Sequence, residues 1–185
     1  MVEIVKPALE HLPSYKAALE RGWSPDNVRL EVATREELGA IEKDPLAFLA
    51  SLDDPEARGR PITLPDGTSV PRLPGFRRWI WDGEASGSIG FRWQKGTAEL
   101  PPHVLGHIGY AVVPWKRRRG YATEALRLML VEARAVGLAY VELTADPGNP
   151  ASQKVILANG GRLIGNFLKE AAYGGEESLR FRIDL

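Results

Sequence analysis

Apolar and polar positions along the chain fall into short alternating stretches, which predict strands, and longer runs at helical spacing. Val2, Ile4 and Val5 predict a first strand stopped by Pro7. Ser14 is placed to cap a helix over 15–21 that Gly22 ends. Val28, Leu30 and Val32 alternate with polar residues and predict a second short strand. Thr34 and Glu37 have capping-box spacing, so a helix is expected to begin there. Asp44 followed by Pro45 reads as a fresh cap with proline in the first helical position, opening a helix that carries Leu46, Phe48, Leu49 and Leu52. The stretch 55–76 is irregular and rich in proline and glycine. Within it Pro65, Asp66 and Gly67 predict a turn joining a small hairpin, 62–64 with 68–70.

The second half is more regular. Segments 78–82 and 86–93 flank Gly83 and Glu84 and predict an antiparallel pair, followed by a loop over 95–106. Residues 108–113 are apolar or small and predict a buried strand that Pro114 stops. From Tyr121 the period becomes helical: Ala122, Ala125, Leu126, Met129, Ala133 and Val136 share one face, and Gly137 closes the helix. The strand Tyr140–Ala145 completes a β-α-β unit, whose right-handed crossover would set the two strands side by side and parallel. Asn149 and Pro150 start another helix, which Asn159, Gly160 and Gly161 end. Two last strands, Arg162–Leu168 and 178–184, turn near Gly174 and Gly175. With no internal repeat, residues 1–185 read as one domain.

Composition narrows the function classes. Lys and Arg total 24 and so do Asp and Glu, so no net field draws in nucleic acid or a membrane surface. The chain has no cysteine, which excludes disulfides, thiolate metal sites and cysteine nucleophiles. The N-terminal residues lack a basic segment followed by an apolar run, and no apolar stretch nears the roughly 20 residues that span a bilayer. A soluble cytoplasmic protein without a metal is the expectation.

One turn breaks a local rule. Lys116, Arg117, Arg118 and Arg119 crowd cations against the start of the helix at Tyr121, where the helix dipole is already positive. Each misplaced charge costs about 0.3–1 kcal/mol. Such violations are expected where function overrides stability. Free N–H groups at a helix start, guanidinium forks and the bare Gly120 suit phosphate oxygens.

These residues resemble a signature of the GNAT superfamily of N-acetyltransferases. Arg117-x-x-Gly120-x-Ala122 fits its Gln/Arg-x-x-Gly-x-Gly/Ala pattern between a strand and a helix. The strand Tyr140–Ala145, the run Asn149-Pro-Ala-Ser152 and the triplet Asn159-Gly160-Gly161 agree with it. The chain looks similar to a bacterial branch of acetyltransferases of undefined substrate. The resemblance covers about residues 76–170 well and the first third loosely. It implies a mixed α/β fold, with a twisted, mostly antiparallel and partly parallel sheet of about six to seven strands. Helices would flank that sheet, and a splay would separate its two central parallel strands.

It also implies acetyl-CoA as co-substrate, with its pyrophosphate on the backbone of Arg117, Arg118, Arg119, Gly120, Tyr121 and Ala122. The pantetheine arm would lie in the splay against Val112 and Val113, with the Val112 N–H near the thioester oxygen. Asn149 and Ser152 match positions that face the cofactor. The segment 1–75 would shape the acceptor side and 76–185 the cofactor core. The acceptor would be an amine of a small molecule, peptide or protein, and homodimers are common in the family.

Acid–base candidates are sparse. Many relatives carry a tyrosine seven residues after the asparagine; here that position is Ile156. Tyr173 is the tyrosine that could reach the site from the last hairpin. Some relatives use a carboxylate near the position of Gly106, and His107 beside it titrates in a useful range, so His107 is the candidate base. Glu142 alternates within its strand and could point either way. Trp79, Trp81 and Trp93 read as packing residues, and Trp115 as a cover for the cofactor or the sheet edge. The acids Glu36, Glu37, Glu42, Asp44, Asp53 and Asp54 read as a solvated face, with attraction of a cationic acceptor as the alternative. Two competing functions are a CoA-binding module that has lost transfer and a nucleotide or nucleic-acid binder. The second finds no GxxxxGK[ST] loop and no GxGxxG after a strand.

Overall fold

The computed structural model describes residues 1–64 and 66–185. Its elements are β1 (Glu3–Val5), α1 (Leu12–Glu20), α2 (Leu30–Lys43), α3 (Pro45–Ser51), β2 (Asp53–Asp54), β3 (Ile62–Thr63), β4 (Ser69–Val70) and β5 (Gly75–Trp81). There follow β6 (Ala85–Arg92), β7 (Ile108–Val112), α4 (Tyr121–Val136), β8 (Tyr140–Ala145), α5 (Pro150–Ala158), β9 (Arg162–Leu168) and β10 (Glu177–Asp184). Short 3-10 turns cover Pro114–Lys116 and Ala171–Tyr173. The fold is mixed α/β, antiparallel within each sheet and flanked by helices.

The strands divide into two main sheets. One has the order β1-β5-β6-β7, with β2 on the edge of β5; the other has the order β8-β10-β9. β3 and β4 form the expected small hairpin, although Pro65 of its turn lies outside the described residues. The crossover pair is therefore more separated than side-by-side pairing predicts. β7 and β8 meet only near their beginnings, where the His107 N–H donates to the Glu142 carbonyl at 2.7 Å. Gly106 makes that approach possible, since a Cβ there would stand 3.0 Å from the Glu142 oxygen.

Two cores hold the layers. Ile89, Phe91 and Ile108 pack with Leu126 and Met129 of α4, Val141 and Leu143 of β8, and Ile156 of α5. The opposite face, through Trp79, Ala111 and Val113, packs with Tyr15 and Leu19 of α1, Ile41 of α2 and Phe48 of α3. Residues alternate between these faces with the strand period of two. Each fully buried large apolar side chain contributes about 1.5–3 kcal/mol. Trp79 and Trp93 are packing residues as expected, and Tyr15 stacks on Trp79 at 4.2 Å between centroids.

The N-terminal third departs most from its pattern. Residues 28–32 are not a strand: α2 begins at Leu30, with φ +40° at that residue. Val28, Leu30 and Val32 stay largely exposed. Thr34 does not start a helix. It sits inside α2, and its hydroxyl donates to the Trp23 and Leu30 carbonyls. Ser14 does not cap α1, which begins at Leu12; its Oγ accepts from the Ala85 N–H at 2.8 Å. Asp44 does cap α3, accepting from the Ala47 N–H at 3.0 Å.

Candidate functional site

The gap between β7 and β8 follows from the ladder. Val113 donates its N–H to the Ser86 carbonyl, and Arg92 donates to the His107 carbonyl, so alternation turns the N–H and C=O groups of Ile108, Tyr110 and Val112 toward β8. β8 is not there to receive them. The Asn27 side chain donates to the Tyr110 carbonyl at 3.0 Å, and Arg117 Nε donates to the Val112 carbonyl at 3.2 Å. The Val112 N–H therefore faces the gap. Val113 does not serve the arm in the way expected of it: its N–H is used by Ser86 and its side chain is fully buried.

The basic turn splits into two parts. Lys116 is turned inward and is nearly buried, with Nζ 2.6 Å from Asp82, 2.7 Å from Glu84 and 3.1 Å from Ser86 Oγ. It is not part of an anion site. Burial would raise the Asp82 carboxyl, but hydrogen bonds from Lys116, Tyr121 and Ser86 hold it far below the usual range. Arg117, Arg118 and Arg119 remain exposed, with no carboxylate paired to them among the described residues. Arg118 has φ +61° and Gly120 φ +78°, the left-handed conformations that turn successive N–H groups into a concave nest. Among the described residues, the backbone N–H groups of 118–123 donate to no protein acceptor. A Cβ at Gly120 would meet nothing within 4 Å. Tyr121 and Ala122 thus present backbone donors, while the Tyr121 hydroxyl is occupied, donating to Asp82 at 2.7 Å.

Opposite this turn, α5 begins with a self-contained cap. Asn149 Oδ1 accepts from the Ser152 N–H at 3.1 Å. Ser152 Oγ lies 2.9 Å from the Tyr110 hydroxyl, a contact from β7 to α5 across the end of the gap. Burial pushes the Tyr110 phenol up to about 12, against the opposing Ser152 hydrogen bond. Neither Tyr110 nor Asn27 was singled out from the sequence. Strand alternation with Val112 marks Tyr110, but nothing local marks Asn27, which is 83 residues away from its partner.

A family model described as an acetyltransferase (GNAT) domain matches residues 66–162, just over half of the chain. The chain belongs to the GNAT acetyltransferase family. Solved structures agree on the fold. The microcin C7 self-immunity acetyltransferase MccE, solved with acetyl-CoA and AMP, has a TM-score of 0.64 and 13% identity over 100% of this chain and 92% of that one. RimL, a ribosomal L7/L12 alpha-N-protein acetyltransferase solved with coenzyme A, gives 0.64 and 13% over 100% and 94%. RimJ of Mycobacterium smegmatis, solved with a CoA-disulfide, gives 0.63 and 19% over 99% and 81%. No curated protein matches the sequence.

Within this GNAT fold the expected base is out of position. His107 is fully buried, and its Nδ1 accepts from the Glu142 N–H at 2.8 Å. Its Nε2 lies toward the Ala98 carbonyl without a well-formed hydrogen bond. Burial pushes the imidazole down to about 4, the nearby Glu142 opposing it, so the ring is neutral at pH 7 and its one basic nitrogen is in use. Glu142 is also engaged, with Oε1 2.6 Å from Arg182 and Oε2 3.8 Å from Arg180. Ile156 is fully buried and packed against Gly161. The Tyr173 hydroxyl donates to the His103 carbonyl at 3.0 Å. Trp115 lies under the Arg21 guanidinium, 3.6 Å from the ring centre, and packs on the α1 side.

The acids of the first third are internally balanced. Glu36 pairs with Arg29, Glu37 with Arg77, Glu42 with Lys16, and Asp53 with Lys6 and Arg78. Asp54 accepts from the N–H groups of Arg58 and Gly59. They do not form an attractive patch for a cation. No group of three or more potential metal ligands and no helix long and apolar enough to cross a membrane occurs among the described residues.

Proposed function

We propose that this GNAT acetyltransferase is an N-acetyltransferase that moves the acetyl group of acetyl-CoA to a primary amine by direct attack, with residues 1–185 acting as one domain. The supporting observation is the turn before α4: N–H groups over 118–123 unclaimed among the described residues, left-handed Arg118 and Gly120, and three exposed arginines without acid partners among those residues. These features suit a diphosphate, which accepts from backbone donors at a helix start and from guanidinium forks. MccE and RimL, of the same fold, were solved with acetyl-CoA and coenzyme A respectively.

In this reading Arg117, Arg118, Arg119, Gly120, Tyr121 and Ala122 hold the diphosphate end. The gap beside Val112 takes the extended arm, and Asn149 and Ser152 border it from α5. Acetyl-CoA supplies an activated carbonyl and a thiolate leaving group. The Val112 N–H is the fixed donor for the developing oxyanion, in a setting where such a donor is worth more than in water. A lysine-like amine has a pKa near 10.4 and must lose a proton before attack. With His107 and Glu142 both engaged, water carries that proton, and positioning supplies most of the rate. A thiol of pKa about 8.5 leaves without an obligatory acid, which accommodates Ile156.

Calorimetry with acetyl-CoA, followed by thiol release with a panel of amines, tests the reading. Micromolar binding and amine-dependent release are expected. Absence of heat would sink it. Binding without release for any amine would favour the second reading, a CoA-binding module, for which the buried Ile156 and the engaged His107 speak.

A further inference from the structure

The face of the first sheet turned toward α1 and α2 carries a patch that the transfer chemistry does not use. Arg77, Gly90 and Gly109 form one row in register across β5, β6 and β7. Arg92 stands two residues along β6, on the same side of the pleat as Gly90. The paired glycines leave a bare floor, and Arg92 Nη2 reaches over it, 3.7 Å from where a Cβ on Gly109 would stand.

The two arginines differ in one respect. Arg77 is satisfied, with Nη1 2.5 Å from Glu37 and 3.4 Å from the Tyr15 hydroxyl. Arg92 has no carboxylate at ion-pair distance and no side-chain hydrogen bond among the described residues; the residue is exposed, yet protein packs closely round its guanidinium. The protein crowding it and the neighbouring Arg77 both disfavour its charge. Tyr173 and Asp26 are the groups within electrostatic reach that favour it, and Asp26 is already committed to Arg29. A lone guanidinium beside a second cation, over a floor of paired glycines, is an arrangement that an incoming anion completes.

Resting on the proposed acetyl transfer, we infer that the acceptor carries an anionic group, a carboxylate or a phosphate, which Arg92 binds over the Gly90–Gly109 floor while the acceptor's amine reaches Val112. The spacing restricts the acceptor further. Gly109 and Val112 are three residues apart on β7, about 10 Å at strand rise. An α-amino acid is too short to bridge that distance. An amine separated from its anion by a chain of several atoms spans it.

Aminohexanoate, aminohexyl phosphate, uncharged aminohexanamide and diaminohexane form a matched probe set. Either anionic probe should exceed the amide in kcat/KM for thiol release by roughly 10- to 100-fold, the range of one charge-assisted contact. The better of the two identifies the anion as carboxylate or phosphate. In Arg92→Gln the preference should fall to near one while acetyl-CoA affinity holds, and Arg92→Lys should recover part of it. Titrating aminohexanoate and aminohexanamide by calorimetry gives the same comparison where no probe is acetylated. Equal affinity for the two, or a preference that survives in Arg92→Gln, overturns the inference. Failure of acetyl-CoA to bind strikes the proposed function instead, and the calorimetric comparison on the free protein still decides the role of Arg92.

Discussion

The starts of α4 and α5 meet the same physical problem in opposite ways. Every helix begins with orphan N–H groups. At α5 the chain solves this internally: Asn149 accepts from the Ser152 N–H, Pro150 removes one donor, and Gln153 ties the preceding loop through the carbonyls of Asp146 and Pro147. At α4 no side chain caps the helix, the N-cap is a left-handed glycine, and the preceding residues are arginines. The first end leaves only the Ala151 N–H without a protein acceptor among the described residues. At the second, the N–H groups of 118–123 find no protein acceptor among the described residues, and under the proposed function an anion would complete them; that asymmetry would separate a structural helix start from a binding one.

The largest effect on binding should come from filling the open end with the wrong charge. Gly120→Glu puts a carboxylate among the donors, and calorimetry should show acetyl-CoA binding lost by at least about a hundredfold. Gly120→Ala is the control. Nothing stands within 4 Å of its Cβ, so it should cost about 1 kcal/mol of stability from the left-handed backbone, with a far smaller loss of affinity. The largest effect on stability should be that of Lys116→Ala, which tests whether the four-cation turn is one unit. It removes the nearly buried partner of Asp82, and chemical denaturation should register about 3–5 kcal/mol. Arg118→Ala should lie within about 0.5 kcal/mol of wild type, since its side chain is exposed. Equal costs for the two would erase the division drawn through this turn.

That division was not legible in the sequence, although the turn itself was. Four consecutive cations look alike in one dimension. The acids that claim Lys116, Asp82 and Glu84, lie over 30 residues away on the hairpin between β5 and β6. Signals confined to a few residues survived best: Asn149 with Pro150, Asp44 with Pro45, and Gly137 at φ +86° all act as their local chemistry dictates. Patterns open to two readings failed where tertiary contacts chose between them. Val28, Leu30 and Val32 alternate as a strand would, yet no neighbouring strand offers them a ladder. His107 looked reactive because imidazole titrates near neutrality, and only the folded register shows its Nδ1 fastened to β8.

His107 also links the two helix starts, since β7 leads toward α4 and β8 toward α5. Its folded pKa, about 4, lies below the unfolded value near 6.5. Between those values the unfolded chain binds more protons, so the stability from the neutral, hydrogen-bonded ring is complete above about pH 6.5 and lost as pH falls toward 4. Denaturant midpoints across that window should fall by the equivalent of roughly 3 kcal/mol in wild type. In His107→Gln the His-linked part of the slope should vanish, while the pH profile of acetyl transfer keeps its shape. A lost acidic limb in that profile would return the residue to a catalytic role.

The smallest predicted effect tests the comparison from its closed side. If the α5 cap is self-contained, Asn149→Ala removes a cap and little else. It should lower stability by about 1 kcal/mol, the usual cost of losing an asparagine cap. Acetyl-CoA affinity should change no more than about threefold, because Oδ1 is already committed to the Ser152 N–H. Asn149→Asp keeps the acceptor and places a negative charge at a helix start, so it should retain stability. The informative contrary result is a loss of affinity of about tenfold or more in Asn149→Ala with the denaturation midpoint unmoved. That would mean that the ligand, rather than the helix, is the main partner of this side chain. The two helix starts would then differ only in how many of their donors the protein itself satisfies.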